Sequence, residues 1–285
     1  MKVGFVGAGK VGFSIGKMLE LAGENVAGYY SRSPHSAEEA ADFTHSKFHK
    51  KLETLVDGSD MIFITVPDDA IASVWEEIKK CSITDKIICH CSGSLSSEIF
   101  SDIEKTNSYG FSIHPLLAVS DRYHSYQDLP KALFTIEGNA KKIPVVEEIL
   151  HKCGIKTQVI SSEIKSRYHA AAVMSSNLVI ALISSAQDEL KKCGFSDENI
   201  NMAIEPLIRG NIDNTLMHGT IRSLTGPVER NDIKTVRRHL NTLEGIDHEI
   251  YSVLSRKVVA IAKQKHPDSN YALMEEILKE NGDRL

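Results

Sequence analysis

The sequence lacks the features of a secreted or membrane protein. Its five cysteines are odd in number and form no C-x-x-C pair, which argues against a disulfide framework and indicates a reducing cytoplasm. The N-terminus begins with one basic residue and a short apolar run, unlike a signal peptide. No stretch reaches the roughly 18 apolar residues of a membrane helix, because the nearest, residues 170–186, is interrupted by serines and an asparagine. We therefore expect a soluble, cytoplasmic protein.

Excess positive charge is also lacking. The formal net charge is −5, so no global positive field favours nucleic acid as a partner. The 285 residues are 42% hydrophobic and 25% charged, which is typical of a soluble globular protein with one large or two medium domains. We therefore expect a small-molecule substrate and not nucleic acid as the partner.

The first 160 residues alternate short apolar runs with helical patterns, as in a parallel sheet with crossover helices. Beyond about residue 160 the patterns are helical only. We predict a Rossmann-type, doubly wound, mostly parallel α/β domain at residues 1–160 and an all-α domain at residues 161–285. The predicted strands are KVGFVG, NVAGYY, MIFITV, KIICHCS, YGFSIH, LFTIEG and KTQVIS.

Helix signals complete this pattern. Residues 36–39 (SAEE) fit a capping box that opens the second helix, and residues 96–104 fit another helix. Residues 164–194 predict one long apolar helix ending at a glycine, and further helical patterns cover residues 232–244, 247–264 and 269–281. Because so apolar a helix needs cover on several sides, we expect a homodimer through the helical domain.

Residues 7–12 carry the glycine motif G-x-G-x-x-G. The motif follows a predicted strand and opens a predicted helix, which is the context that makes it specific for a dinucleotide. Its glycines allow a tight turn, a close approach of the backbone to the pyrophosphate and close helix–strand packing. A tight turn without a ligand is the alternative. The predicted cofactor contacts in this motif are Gly7, Ala8, Gly9, Lys10, Val11 and Gly12.

The second predicted strand ends without the acidic residue of a typical NAD site. In its place stand Ser31, Arg32 and Ser33, which offer a guanidinium and two hydroxyl donors to a 2′-phosphate. A solvated arginine in a loop is the alternative. We predict NADP as the cofactor, with Val66 and Pro67 also facing it beyond the end of the MIFITV strand.

Two later strand ends carry polar groups near the expected nicotinamide. Ser92 and Ser94 follow one strand and His114 ends another, so a hydroxyl and an imidazole could bind a substrate oxygen and transfer its proton. The alternatives are a turn with capping hydroxyls and a strand-end histidine. The run CHC at residues 89–91 predicts no metal site, because strand neighbours alternate faces and cannot converge.

The helical region adds polar candidates. His169 and Asn177 share one face of the long apolar helix, as a site or as a hydrogen-bonded helix contact. In the loop SLTGPVERND, Thr225 and Arg230 are candidates for substrate binding, and Asp232 is expected to cap the next helix. The loop could equally serve only to join two helices.

Five segments, GFVGAGKVG, HCSGSLSS, IHPL, YHAAAV…SN and LTGPVERND, resemble in this order a group of bacterial Rossmann-like NADP oxidoreductases with a helical C-terminal domain of unassigned function. More distantly the chain is similar to pyrroline-5-carboxylate reductases and prephenate dehydrogenases. By resemblance to the latter, His114 and either Ser92 or Ser94 act on a substrate hydroxyl. A catalytic lysine of hydroxyisobutyrate-type enzymes falls on Val173 and does not carry over. The family commonly has glycine where Asn231 stands.

Together these features predict an NADP-dependent oxidoreductase that transfers a hydride between nicotinamide and a small polar substrate in the cleft between the domains. His114 is predicted as general acid or base, Ser94 and Asn177 as orienting groups beside His169, and Ser92 as a cofactor contact. Arg230 is expected to hold a carboxylate. The alternatives are a non-catalytic NADPH-binding regulator and a deazaflavin-dependent protein.

Overall fold

A computed structural model describes residues 1–280, which form two compact units, residues 1–176 and the chain from residue 177 onward. The first unit contains a seven-stranded sheet of order β2-β1-β3-β4-β5-β6-β7. Neighbouring strands are parallel except β5 and β6, which are antiparallel. All seven predicted strands and the Rossmann-type fold class are confirmed. The strands are β1 (Lys2–Val6), β2 (Asn25–Tyr30), β3 (Met61–Ile64), β4 (Ile87–His90), β5 (Tyr109–Pro115), β6 (Leu133–Gly138) and β7 (Lys156–Val159).

Helices cover both faces of this sheet. Because side chains alternate along a strand, Met61 and Phe63 of β3 join one apolar cluster, while Ile62 and Ile64 join the other. A strand buried on both faces must be apolar throughout, which is why MIFI contains no polar residue. The helices of this unit are α1 (Lys10–Leu21), α2 (Pro34–Phe43), α3 (Leu52–Asp57), α4 (Asp68–Ile78), α5 (Ile143–Lys152) and α6 (Lys165–Met174).

Two local predictions in this unit were wrong. Helix α2 begins at Pro34, and its cap is Ser33, whose hydroxyl accepts from the amide of Ser36, so residues 36–39 form no capping box. Proline fits the first helical position because its missing amide hydrogen has no partner there. Residues 96–104 form no single helix: Asp102 has a left-handed backbone (φ 59°) and separates two short 3-10 turns.

The predicted long helix is interrupted after Met174. The hydroxyls of Ser175 and Ser176 donate to carbonyls of the preceding turn, at Ala171 and Ala172 (2.8 and 2.7 Å), a contact that bends helices. A second helix, α7 (Asn177–Lys192), then begins. The interruption coincides with the division between the compact units, so α6 lies with the sheet, beyond the domain boundary expected at residue 160.

The second unit is helical, and no strand occurs in its described part. Its core lies among the last three described helices, α10 (Ile233–Thr242), α11 (Gly245–Lys265) and α12 (Ala272–Glu280). Val236, Val259 and Met274 are buried there. The predicted helices near residues 232–244, 247–264 and 269–281 are present, although residue 281 lies outside the described residues. After α7 the helices are α8 (Asp197–His218), α9 (Thr220–Ser223), α10 (Ile233–Thr242), α11 (Gly245–Lys265) and α12 (Ala272–Glu280).

Apolar side chains remain exposed on α7 and α8, among them Ile180 (68%), Met202 (69%) and Leu216 (81%). Contrary to our expectation, residues 162–192 are long and apolar enough to cross a membrane, judged by length and composition alone. None of the most apolar window of this segment is buried in the structure. An apolar surface of this kind marks a site of association.

Candidate functional site

The glycine motif forms the turn between β1 and α1. Gly7 has φ 102°, and a Cβ there would lie 2.8 Å from the carbonyl oxygen of Thr65. A Cβ on Gly12 would lie 2.6 Å from Thr65 Oγ1, which in turn donates a hydrogen bond to the Gly7 carbonyl (2.9 Å). Gly9 precedes the first residue of α1, and no side chain caps the first backbone amides of this helix. These amides are available to an anion.

An open groove of about 1290 Å³ runs past this turn, at the carboxyl ends of β1, β2 and β3. Predicted cofactor residues from three separate segments line it. Four other predicted contacts, Lys10, Val11, Gly12 and Ser92, do not line it. Those that do are Gly7, Ala8, Gly9, Ser31, Arg32, Ser33, Val66 and Pro67.

Besides Lys80, three cations face this groove: Arg32, Lys50 and Lys51. Within residues 1–280, none of the three forms an ion pair, whereas Lys80 in the same groove pairs with Glu77 (2.6 Å). The sequence analysis did not identify the two lysines. They come close to Arg32 because Phe48 forms a parallel bridge with Tyr29 in β2, which carries the following residues alongside the end of that strand. A short sequence motif does not predict such a contact, because Tyr29 and Phe48 are far apart in the sequence.

The turn after β4 is held by a carboxylate. Ser92 Oγ and Ser94 Oγ both donate to Asp68 Oδ2 (2.7 and 3.1 Å), and Ser92 Oγ also accepts from the amides of Ser94 and Leu95. Ser92 is buried, while Ser94 is partly exposed. Asp68 is the first residue of α4, because Pro67 takes the capping position. Asp68 therefore links the end of β3 to the polar turn after β4.

His114, at the end of β5, contacts α6. Its Nδ1 lies 2.7 Å from the hydroxyl of Tyr168, and Thr135 Oγ1 donates to that same hydroxyl oxygen (3.2 Å). Burial, with a further contribution from the charge of Lys165, lowers the pKa of His114 to about 4. His114 is therefore neutral at physiological pH. Its partner Tyr168 was not identified from the sequence.

Gly93 packs against two imidazoles. A Cβ at this position would lie 2.9 Å from His114 Nε2 and would collide with His169 Nδ1. The two rings lie 6.0 Å apart and are nearly perpendicular. We call His114 and His169 the imidazole pair. The structure thus brings these two predicted site residues together with the turn that carries Ser94.

Lys165 is a buried cation beneath this turn. Its side chain is 1% exposed, and its Nζ donates to Ser112 Oγ (2.5 Å) and to the Ser92 carbonyl (3.2 Å). Burial lowers the pKa of Lys165 from its usual value. The sequence analysis did not identify this residue. Its spacing was a usable signal, because Lys165, Tyr168 and His169 stand at i, i+3 and i+4 of one helix and so share a face.

The remaining predicted residues lie in the helical unit. Asn177 is the first residue of α7, and Thr225 and Arg230 are exposed in the turn between α9 and α10. Asn231 has φ 57°, the conformation that glycine adopts most easily and asparagine next, and its Nδ2 donates to the Asn270 carbonyl (2.9 Å). Asp232 caps α10 by accepting from the Thr235 amide, as predicted. The site roles of Asn177, Thr225 and Arg230 stay predictions.

Two regions of the chain match protein families. Residues 1–115 match the family described as Rossmann-like domain, and residues 132–258 match the one described as domain of unknown function DUF2520. These two matches agree with the resemblance found in the sequence.

Comparison with solved structures gives full-length similarity. Protein TM1727 from Thermotoga maritima is 29% identical, with a TM-score of 0.73, over 92% of this chain and 99% of that one. BF3122 from Bacteroides fragilis, provisionally named an NADP oxidoreductase, is 20% identical, with a TM-score of 0.73, over 91% and 98%. Pyrroline carboxylate reductase from Plasmodium falciparum, solved with NADP bound, is 18% identical, with a TM-score of 0.59, over 92% and 98%. The comparison with curated proteins found no match.

Proposed function

We propose that this chain, a Rossmann-like domain joined to a DUF2520 domain, is an NADP-dependent oxidoreductase that acts on a small polar substrate. The observation that carries the proposal is the groove in which the glycine turn meets three cations that lack ion pairs. NADPH, when bound, supplies a hydride to a carbonyl or an imine. Similarity of fold to proteins named imine reductase, reductive aminase and pyrroline carboxylate reductase supports a reduction of this kind.

The groove fits the cofactor by charge and by shape. Gly7 and Gly9 leave the backbone open to a pyrophosphate, and the uncapped amides of α1 attract its charge. Arg32 offers the 2′-phosphate a planar pair of donors, with the hydroxyls of Ser31 and Ser33 beside it. The absence of a carboxylate at residues 30–33 removes the repulsion that an NAD site would direct at this phosphate.

The polar turn and the imidazole pair are the proposed substrate side. Ser94 Oγ is held toward Asp68 and orients the substrate, while His114 contacts the reacting oxygen or nitrogen. From the helical unit we propose Asn177 as an orienting group, with Thr225 and Arg230 for a substrate carboxylate. A charge-assisted pair with Arg230 favours an anionic substrate.

Equilibrium titration with NADPH and with NADH, followed by nicotinamide fluorescence, tests the cofactor first. We expect tighter binding of NADPH, and we expect Arg32→Ala to weaken it by about 10- to 100-fold, because hydrogen bonds to charged groups contribute about 1.5–3 kcal/mol. Binding of NADH to the same variant should stay nearly unchanged. Arg256→Ala, far along the chain in α11, is the matched control for the loss of one arginine.

Enzyme-dependent loss of NADPH absorbance with a panel of carbonyl and imine compounds tests the reaction. Turnover would discard the non-catalytic regulator, and flavin-like absorbance of the purified protein would favour the deazaflavin alternative. If neither nicotinamide cofactor binds, the groove serves another ligand and the proposal is abandoned.

We further propose that a second copy of the chain covers the exposed apolar side chains of α7 and α8. Sedimentation of the full chain without detergent measures this: a dimer is expected. Replacing Ile180 and Leu216 by glutamate should then yield a monomer, since buried charges without partners oppose association. A chain that stays soluble only in detergent would instead indicate that lipid covers this surface.

A further inference from the structure

The imidazole pair has an orientation that its surroundings determine. His114 Nδ1 contacts Tyr168, whereas His114 Nε2 points toward Gly93 and makes no hydrogen bond among the described residues. His169 Nδ1 points to the same place, is buried and also lacks a partner in residues 1–280. A buried polar atom without a partner is rare in folded proteins. One buried nitrogen without a partner, with His114 Nε2 facing the same place, indicates that a polar ligand atom belongs there.

The hydrogen bonds around Tyr168 determine which nitrogen of His114 carries the hydrogen. Thr135 Oγ1 donates to the Tyr168 oxygen, so that oxygen already acts as an acceptor. The Tyr168 hydrogen then has one acceptor among the described contacts, Nδ1 of His114 at 2.7 Å. Nδ1 is therefore the unprotonated nitrogen, and Nε2 carries the hydrogen.

Burial, together with the Lys165 cation, opposes a positive ligand beside His114. The Lys165 ammonium lies buried beneath the neighbouring turn, and the rings of His169 and His90 add no negative charge. The Asp68 carboxylate is the opposing group, and its Oδ2 is already occupied by the hydroxyls of Ser92 and Ser94. For His114 itself the net result is a lowered pKa, because burial and Lys165 outweigh Asp68. The same burial disfavours an iminium cation at this place, because a charge loses its hydration there.

From this geometry we infer that the group reduced is a neutral carbonyl, whose oxygen accepts a hydrogen bond from His114 Nε2–H, and that Tyr168 is the positioning residue that fixes this tautomer. The inference rests on the proposed function. A carbonyl oxygen presents the lone pair that an N–H donor requires, whereas an iminium nitrogen presents none. A neutral imidazole acting as a donor also suits an oxygen that becomes negative during the reaction.

Protons and electrons balance for this substrate. The carbonyl carbon receives a hydride, with its electron pair, from the proposed cofactor, which is thereby oxidised. The π pair of the C=O bond moves onto oxygen, and this oxygen takes the proton of His114 Nε2. The Tyr168 hydroxyl proton shifts to Nδ1, so the imidazole stays neutral. The proton then returns from Nδ1 to Tyr168 as water protonates Nε2, which restores the starting tautomer. The product is an alcohol.

Long-range proton–nitrogen NMR of the full chain, labelled with ¹⁵N at histidine and without cofactor, tests the tautomer. The signals of His114 are assigned by their loss in His114→Gln. We expect Nδ1 to be pyridine-like and Nε2 pyrrole-like at neutral pH. In Tyr168→Phe this preference should be lost, whereas in Tyr123→Phe, whose hydroxyl makes no described hydrogen bond, it should be retained.

A His114 that is cationic at neutral pH, or that carries its hydrogen on Nδ1, overturns the inference. This measurement needs no NADPH. It therefore tests the tautomer of His114 independently of the cofactor titration, which tests the proposed function. If Tyr168→Phe unfolds, Thr135→Val takes its place: it removes the hydrogen donated to Tyr168 and should weaken the preference for one tautomer.

Two probes of similar shape test the substrate class. α-Tetralone offers a neutral carbonyl, and the N-methyl-3,4-dihydroisoquinolinium ion offers a fixed cation with no lone pair. We expect the ketone to shift the His114 Nε2 signal and the cation to leave it unchanged. In Tyr168→Phe the ketone should bind about tenfold more weakly, as measured by titrating this shift. A shift with the cation, or none with the ketone, overturns the assignment to carbonyls.

Discussion

The two polar regions at the strand ends of the sheet differ in their exposure to solvent and in how their charged groups are held. Beyond β1 to β3, the groove is open and presents Arg32, Lys50 and Lys51 without ion pairs. Beyond β4 and β5, His90, His114 and Lys165 are wholly or largely buried, and hydrogen bonds fix their positions. An open groove attracts a charged ligand through cations that stay hydrated, whereas a buried cluster directs neutral donors at a single atom. This difference fits the proposal that the groove binds the cofactor and that the buried region carries out the reaction.

The largest expected effect is that of Gly93→Ala, which changes the buried region and leaves the groove unchanged. The added Cβ displaces His114 and His169 but lies outside the groove, so turnover should fall by about 10³-fold, within the range for losing a positioned proton-transfer group. NADPH affinity should stay within about twofold, because no groove residue is touched. Single-turnover rates and a fluorescence titration of the same sample measure the two quantities. A matching loss of affinity would show that the regions are not independent.

Gly58→Ala is the control for Gly93→Ala. Its Cβ would meet only backbone oxygens, no closer than 3.3 Å, and its φ is not positive, so both rate and affinity should be retained.

The second expected effect is acid destabilisation of the buried region. Burial lowers the pKa of His90 from 6.5 to about 4, so the unfolded chain binds this proton more readily than the folded chain. The stabilisation is complete above about pH 6.5 and is lost as the pH falls through about 4, by up to roughly 3 kcal/mol. His114 is shifted in the same direction. Urea unfolding across this range measures the change.

Comparison of variants localises that pH dependence. His90→Gln should make the free energy of unfolding depend less steeply on pH between 6.5 and about 4, because Gln does not titrate there, while His114 keeps its own contribution. His35→Gln removes an exposed histidine of α2 and should leave it unchanged. If the free energy of unfolding of His90→Gln depends on pH as steeply as that of the unchanged protein, the dependence belongs to other groups.

The smallest effect concerns the two lysines beside Arg32. The double change Lys50→Ala, Lys51→Ala should weaken NADPH binding by roughly three- to tenfold, because exposed charges in high dielectric contribute about 1 kcal/mol or less each. The loss should shrink at high salt, unlike the effect of Gly93→Ala. Titration at two salt concentrations, with Lys141→Ala and Lys156→Ala as the control, measures it. An effect independent of salt would mean that the lysines shape the groove and do not act through charge.

Much of the fold was predictable from short segments. The runs MIFI and IICH predict buried strands because each is apolar and stands beside turn residues, and Asp232 predicts a cap because a side chain three residues before an amide can reach it. Helix boundaries were less predictable. Residues 164–194 carry a continuous helical pattern, and only the serine hydroxyls that bond to the preceding turn interrupt it.

The site was predictable only in part. Ser94 and His114 were identified because they follow strands that end at one edge of the sheet, a rule that needs no knowledge of contacts. Tyr168 was missed because its partner His114 is 54 residues away, and Lys165 because it reaches Ser112 across 53 residues. Lys50 and Lys51 were missed because a bridge between Phe48 and Tyr29 carries them to Arg32.

The sequence by itself determined the periodicity of the strands, the glycine turn and the positive charge at the end of β2, since each depends on residues close together in the chain. The tertiary structure decided which side chains meet: the tautomer of His114, the burial of Lys165 and the grouping of cations in the groove. Burial and hydrogen bonding depend on the three-dimensional neighbours of a group, and these set its pKa and its chemistry.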